Sequence, residues 1–184
     1  MLKWILSSFY FFLPAYFTNM TPSLMASRGF FKCLDKPLDF GRKLQGSPIL
    51  GNHKTWRGII LGLTAGLLTA LFQRQLFNRL LFIREISFLN YQIINIFFFG
   101  VLMSGGALCG DLFFAFIKRR LGLKPGTRFL PFDQINYVIG SALFLSPFYA
   151  INMGVWITLL ILTFILHISA TQIGFRLGLS QNQW

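Results

Sequence analysis

"IINIFFFGVLMSGGALCGDLFFAFI", residues 93–117, decides what kind of protein this is. The run exceeds the roughly 20 apolar residues that a membrane-spanning helix needs. It carries one charge, Asp111, and three cations follow at once, Lys118, Arg119 and Arg120. An apolar run that ends on a cluster of cations reads as a span meeting a membrane face.

Working outward, the rest of the chain repeats the pattern. Hydrophobic residues make up 54% of 184, with 23 Phe, a membrane composition rather than a globular one. Apolar runs predict five helices, approximately 2–20, 58–80, 91–117, 137–151 and 154–174. The first run has only Lys3 before it and no clean small-x-small site after it, so it reads as a span rather than a signal peptide. The expected fold is an all-α integral membrane protein of about five transmembrane helices, one domain over 1–184. Gly58, Gly62 and Gly66 recur every four residues, and Gly105, Gly106 and Gly110 lie in the third helix. Such stripes suit close helix contact, within one chain or between two copies in a homodimer.

Charge supplies the orientation. There are 17 Lys+Arg against 5 Asp+Glu. The cations gather in two polar loops: Arg28, Lys32, Lys36, Arg42, Lys43, Lys54 and Arg57 in the first; Lys118, Arg119, Arg120, Lys124 and Arg128 in the second. Only Lys3, Arg74, Arg79 and Arg84 fall on the other side of a five-span layout. The positive-inside bias predicts the N-terminus outside, the C-terminus cytoplasmic, and both basic loops on the cytoplasmic face of the cell membrane. Because the cations interleave with spans, nucleic-acid binding is not the expected use. Cys33 and Cys109 offer neither a disulfide framework nor zinc spacing.

With so few acids, those near the membrane are costly, about 3 kcal/mol each at a helix centre. Asp111 and Lys118 are seven residues apart and share a helix face, while Asp133 is expected just before the fourth helix. Two carboxylates beside a basic pocket suit Mg²⁺ carrying phosphate oxygens; the competing reading is a structural pairing of Asp111 with Lys118 or Arg119. In the first loop, Gly46, Gly51, Lys54 and Thr55 hold the ingredients of a phosphate loop, but the strict pattern needs Lys directly after the second Gly. What remains is a basic segment feeding a helix N-terminus, where an anion is favoured. His53 carries little signal as a loop histidine, and His167 reads as an interhelical hydrogen-bonding residue.

"PLDFGRKLQGSPILGNHKTWRG", residues 37–58, together with "GDLFFAFIKRRLGLKPGTRFLPFDQIN", residues 110–136, resembles the CDP-archaeol synthases. These are membrane CTP:lipid-phosphate cytidylyltransferases related to the phosphatidate cytidylyltransferases. The resemblance implies transfer of CMP from CTP to an archaeol-type lipid phosphate, 2,3-bis-O-geranylgeranylglycerol phosphate, with pyrophosphate released and Mg²⁺ required. It implies Asp111 and Asp133 as metal ligands and Lys118 as a catalytic contact to the triphosphate. It also implies Asn52, Lys54, Thr55, Arg57 and Arg119 at the nucleotide, with Asp39 and Asn136 as further candidates. Asn136 stands where the family carries a second acid, which favours one ion over two, and Ala115 stands where the wider relatives carry a Ser. The alternatives are a phosphatidate cytidylyltransferase making CDP-diacylglycerol, and a non-catalytic multispan protein or small transporter.

Overall fold

The structure, a computed structural model, describes residues 1–27, 31–124, 127 and 129–176. Arg28 and Arg128, counted above among the loop cations, lie outside the described residues. The protein is mostly helical, with six helices among the described residues: α1 Leu2–Ser27, α2 Trp56–Arg79, α3 Leu81–Ile86, α4 Ile96–Arg120, α5 Phe132–Leu145 and α6 Met153–Arg176. Among the described residues, three segments are long and apolar enough to cross a membrane: Trp56–Arg79, Ile96–Arg120 and Met153–Ile173.

Three helices differ from the sequence expectation and α3 adds to it; α4 opens at Ile96 rather than 91. α1 runs through Pro14 and Pro22 to Ser27, so the first loop starts later than residue 21. A proline removes one backbone donor and frees the carbonyl four residues before it. At Pro14 that carbonyl belongs to Tyr10, and Gln73 Nε2 of α2 donates to it, while Tyr10 OH donates back to the Gln73 carbonyl at 3.1 Å. The break is thus mended from the neighbouring helix. α5 begins at Phe132, which puts Asp133 in its first turn rather than ahead of it. It ends at Leu145, followed by turns rather than helix to 151.

The helices start where their caps dictate. Thr55 accepts from Gly58 N at 3.2 Å and opens α2; Asn95 accepts from Phe98 N at 3.1 Å and opens α4. The buried centre is aromatic and aliphatic, with Phe11, Phe12, Tyr91, Phe99, Met103, Leu145 and Leu159 all but inaccessible. Phe11 and Phe12 of α1 meet Trp156 of α6 edge-on.

Gly62, Gly66, Gly106 and Gly110 are consumed inside the chain, whereas a Cβ at Gly105 would meet nothing within 4 Å. A Cβ at Gly110 would lie 2.3 Å from the Asn136 carbonyl oxygen, and one at Gly140 would lie 2.1 Å from the Gly106 oxygen. α4 and α5 therefore touch backbone to backbone. Gly62 and Gly66 of α2 press on α1 in the same way, with hypothetical Cβ atoms 2.9 Å from the Thr18 and Pro14 oxygens. These close-packed positions supply no argument for pairing between chains. The hydrogen bond expected of His167 is made one turn earlier, where Tyr16 OH and Thr163 Oγ1 lie 2.8 Å apart across α1 and α6.

The segment between α1 and α2 is organised by its backbone. β1 (Lys43–Leu44) and β2 (Ser47–Pro48) form a two-residue hairpin turning through Gln45 and Gly46, both in the left-handed region at φ 51° and 79°. Pro37 bridges Thr55, with Leu38 N donating to the Lys54 carbonyl at 2.7 Å and Trp56 N to the Lys36 carbonyl at 3.0 Å. Residues 37–55 thus form a closed flap whose last residues enter α2.

Candidate functional site

The flap is knotted by Asp39 and clamped by Arg120. Asp39 is buried and accepts from Gly41 N, Leu50 N and Gly51 N at 3.0, 2.9 and 3.1 Å. Burial pushes its carboxyl up, but the amide donors more than offset that and hold it below the ordinary value. Arg120, the last residue of α4, donates to the carbonyls of Leu44 at 2.7 Å, Ser47 at 3.3 Å and Pro48 at 2.7 Å. The flap is therefore tied to the helix that carries Asp111.

That tie brings the end of the flap over the α4–α5 crossing. Lys54 Nζ lies 2.5 Å from Asp111 Oδ2. Lys118 Nζ donates to both oxygens of Asp133, at 3.0 and 2.8 Å, and to the Thr127 carbonyl at 2.6 Å. Asp133 also accepts from Phe129 N at 2.9 Å. The competing pairing of Asp111 with Lys118 or Arg119 does not form: Asp111 takes Lys54 from the flap and Asp133 takes Lys118 from α4. Lys118, 10% exposed, has its three N–H donors engaged, whereas Lys54 and Asp111 are each 27% exposed.

One cavity of about 180 Å³ gathers Leu50, His53, Lys54, Asp111, Ala115, Lys118, Arg119 and Asp133. Pockets for whole drug-sized ligands run to about 300–1,000 Å³, so this basin suits the phosphate end of a nucleotide. Asn136 lies behind it. Its Nδ2 is 3.4 Å from Asp111 Oδ1, and its buried Oδ1 has no hydrogen-bond partner.

The orphaned Asn136 oxygen, whose amide nitrogen reaches Asp111, and the Asp133 carboxylate one turn back on α5 are hard oxygen donors of the kind Mg²⁺ takes. That cation uses one or two protein carboxylates and completes its shell from water and phosphate; in this structure each carboxylate is held by a lysine. No group of three or more His, Cys, Asp or Glu forms among the described residues.

The remaining sequence candidates separate. Asn52, Thr55 and Arg57 line a neighbouring cavity with Asp35, Pro22 and Gly58, where Arg57 pairs with Asp35 at 3.0 Å. Asp39 faces none of these cavities; it holds the flap together. His53, given little weight from sequence, lines the basin, the Arg57 cavity and a third chamber between α1, α2 and α4. Its position between Asn52 and Lys54 was the available signal. Arg120, the last of the three cations, grips backbone carbonyls of the flap.

The whole chain, residues 1–184, matches the family described as "CarS-like: CDP-archaeol synthase". It is 35% identical over 181 residues to the CDP-archaeol synthase of Methanococcus aeolicus, covering 98% of this chain and 97% of that one. It is 32% identical over 182 residues to the CDP-archaeol synthase of Pyrococcus furiosus, with 98% of each chain covered. Its fold is similar to the solved structure of an intramembrane enzyme for archaeal membrane lipid biosynthesis, with a TM-score of 0.71 and 26% identity. That match covers 90% of this chain and 93% of the other.

Proposed function

The chain belongs to the CDP-archaeol synthase family, and from that membership we propose that its chemistry runs in the basin between the flap and the α4–α5 crossing. It is a multi-pass membrane enzyme, a CTP-dependent cytidylyltransferase of archaeal lipid biosynthesis. Its reaction joins an oxygen of 2,3-bis-O-geranylgeranylglycerol phosphate to the α-phosphorus of CTP. The bond from that phosphorus to the bridging oxygen breaks, and pyrophosphate leaves with the electron pair. The acceptor oxygen is already anionic, so no strong general base is required. The main barrier is bringing two polyanions together.

The observation that carries the assignment is that two aspartates and two lysines from the flap, α4 and α5 line one small cavity. Asp111, Asp133 and the Asn136 amide oxygen would hold a magnesium ion. When bound, the ion supplies positive charge to the phosphate oxygens and the leaving group. With an ion on the carboxylates, Lys118 would be released from Asp133 and Lys54 from Asp111, and these two ammonium groups together with Arg119 would steady the triphosphate. Asn52, Thr55 and Arg57, one cavity away, suit contacts to the remainder of the nucleotide. The five-span reading counts α1, α2, α4, α5 and α6, with the N-terminus outside and the basin on the cytoplasmic face, where CTP is dissolved.

The test supplies purified protein with CTP, Mg²⁺ and either the ether lipid phosphate or a diacyl phosphatidic acid, and measures pyrophosphate. Release is expected with the ether lipid and not with the diacyl lipid. Asp133→Asn is expected to reduce turnover by about 10³-fold or more, as befits loss of a metal-holding charge. Wild-type turnover in that variant would remove the basin from the reaction. Preference for the diacyl lipid would move the chain to the phosphatidate cytidylyltransferases.

A further inference from the structure

The basin has a neighbour that the nucleotide does not explain. A second chamber, about 140 Å³, is bounded by Thr18, Asn19 and Pro22 of α1, Thr55, Gly58 and Ile59 at the start of α2, and Ala107, Leu108 and Leu112 of α4. It shares His53, Lys54 and Asp111 with the basin. The ion pair of Lys54 with Asp111 therefore stands on the boundary between the two spaces. Beyond it the walls differ. The basin adds Lys118, Arg119 and Asp133, whereas the chamber adds aliphatic side chains from α2 and α4, both long and apolar enough to span a membrane.

Asn19 contributes an amide to that chamber. It is half-buried in α1 between buried Thr18 and exposed Met20, in the stretch where Thr18, Thr21 and Ser23 interrupt the apolar run of the helix. Its side chain makes no hydrogen bond to any described residue. Thr18, its neighbour, spends its hydroxyl on the Pro14 carbonyl at 2.7 Å. A polar amide among membrane helices is ordinarily bonded to a neighbouring helix. Here it lines a cavity whose cation, Lys54, is paired with Asp111 on the same wall, and which has an apolar flank. That combination fits a ligand with an anionic head and a hydrocarbon tail.

We propose that the α1–α2–α4 chamber seats the phosphate of the lipid acceptor, with the Asn19 amide donating to it from α1 and Lys54 facing it from the flap. This rests on the reading of the basin as the nucleotide-phosphate site. With the nucleotide on one side of Lys54 and the acceptor phosphate on the other, the attacking oxygen and the α-phosphorus meet at the shared wall. Asn19 is thus a substrate-positioning residue that distinguishes the acceptor from CTP.

The test measures pyrophosphate release with the acceptor varied at saturating CTP, then with CTP varied at saturating acceptor. The acceptor is 2,3-bis-O-geranylgeranylglycerol phosphate in detergent. Asn19→Asp, which opposes an anion, should raise the acceptor KM about tenfold or more, and Asn19→Leu, which removes the donor, about fivefold. Asn19→Gln, which keeps the amide, should stay within about twofold of wild type, and the CTP KM should move less than about twofold in all three. An unmoved acceptor KM in both the Asp and Leu variants overturns the proposal, as does a CTP KM that rises equally.

If Asn19→Asp is inactive, the shift in thermal midpoint on adding CTP decides: a retained shift supports the assignment, and its loss overturns it. Lys118→Ala separates the two readings. An unchanged CTP KM in Lys118→Ala defeats the basin assignment itself. A raised CTP KM there, with Asn19 variants like wild type, defeats only the chamber.

Discussion

The 37–55 flap and the α4–α5 crossing face each other across the basin and hold Asp39 and Asp111 in opposite ways. In the flap, Asp39 is enclosed by three amides of its own loop, donors fixed by backbone geometry. At the crossing, the Asp111 carboxylate meets an ammonium on a flexible stem, brought in from a distant part of the chain. A group held by backbone stays where it is when a ligand arrives. A group held by a lysine can exchange that lysine for another cation. The same residue type is therefore fixed by backbone in one region and by a mobile side chain in the other.

The strongest way to break that contrast is to neutralise one acid on each side. Asp111→Asn should lower turnover by about 10³-fold or more while leaving the thermal midpoint nearly unmoved, because a partly exposed ion pair contributes only about 0–1 kcal/mol. Asp39→Asn should do the reverse. Its amide presents N–H groups to donors that need an acceptor, at a cost of about 1–3 kcal/mol. Protease cutting between residues 39 and 51 should speed up about tenfold, that range spanning one tenfold step in the opening equilibrium, while turnover at saturating CTP stays within about tenfold of wild type. Equal losses of turnover in the two variants would abolish the distinction.

A smaller effect sharpens how the two regions are coupled. Arg120 belongs to α4 but spends its guanidinium on flap carbonyls, so it sets where Lys54 stands relative to Asp111. Arg120→Ala should raise the CTP KM by about tenfold, on the scale of one lost charge-assisted contact, and change kcat much less. Arg120→Lys, which offers one point charge in place of a planar fork, should recover only part of the loss. A CTP KM unaffected in both variants would mean that the flap holds its place without the clamp.

The class of fold was legible because a span is a local property: residues 93–117 are long and apolar enough on their own, and the cations at 118–120 mark their end. The acids were legible because five in a membrane chain is few enough to make each conspicuous. What was not legible depends on partners distant in sequence. Pro14 and Pro22 look like helix breakers until Gln73, two helices' worth of sequence away, is seen to mend the first of them. That Asp111 takes Lys54 rather than nearby Lys118 follows from the clamp of Arg120 on the hairpin, which no spacing rule contains. Asn19 carried no local signal, standing among Thr18, Thr21 and Ser23, and its chamber needs α2 and α4 beside α1.

The gentlest probe of the contrast is the proton. The Asp39 carboxyl sits below its ordinary value because its charged form is what the three amides bind, which outweighs the burial that favours the neutral form. For a group depressed in the fold, the stabilisation is complete above the unfolded value of about 3.9 and is lost as pH falls through the lower folded value. The flap should therefore remain closed down to that unfolded value and loosen only beneath it. The Leu50 amide proton, which donates to Asp39 Oδ2 at 2.9 Å, reports this directly. Its chemical shift, followed downward from pH 6, should stay level and then inflect below about 3.9, and Asp39→Asn should remove the inflection. An inflection at or above the ordinary carboxylate value would mean that the amides do not hold the charge. The flap would then lose its claim to be the fixed side of the basin.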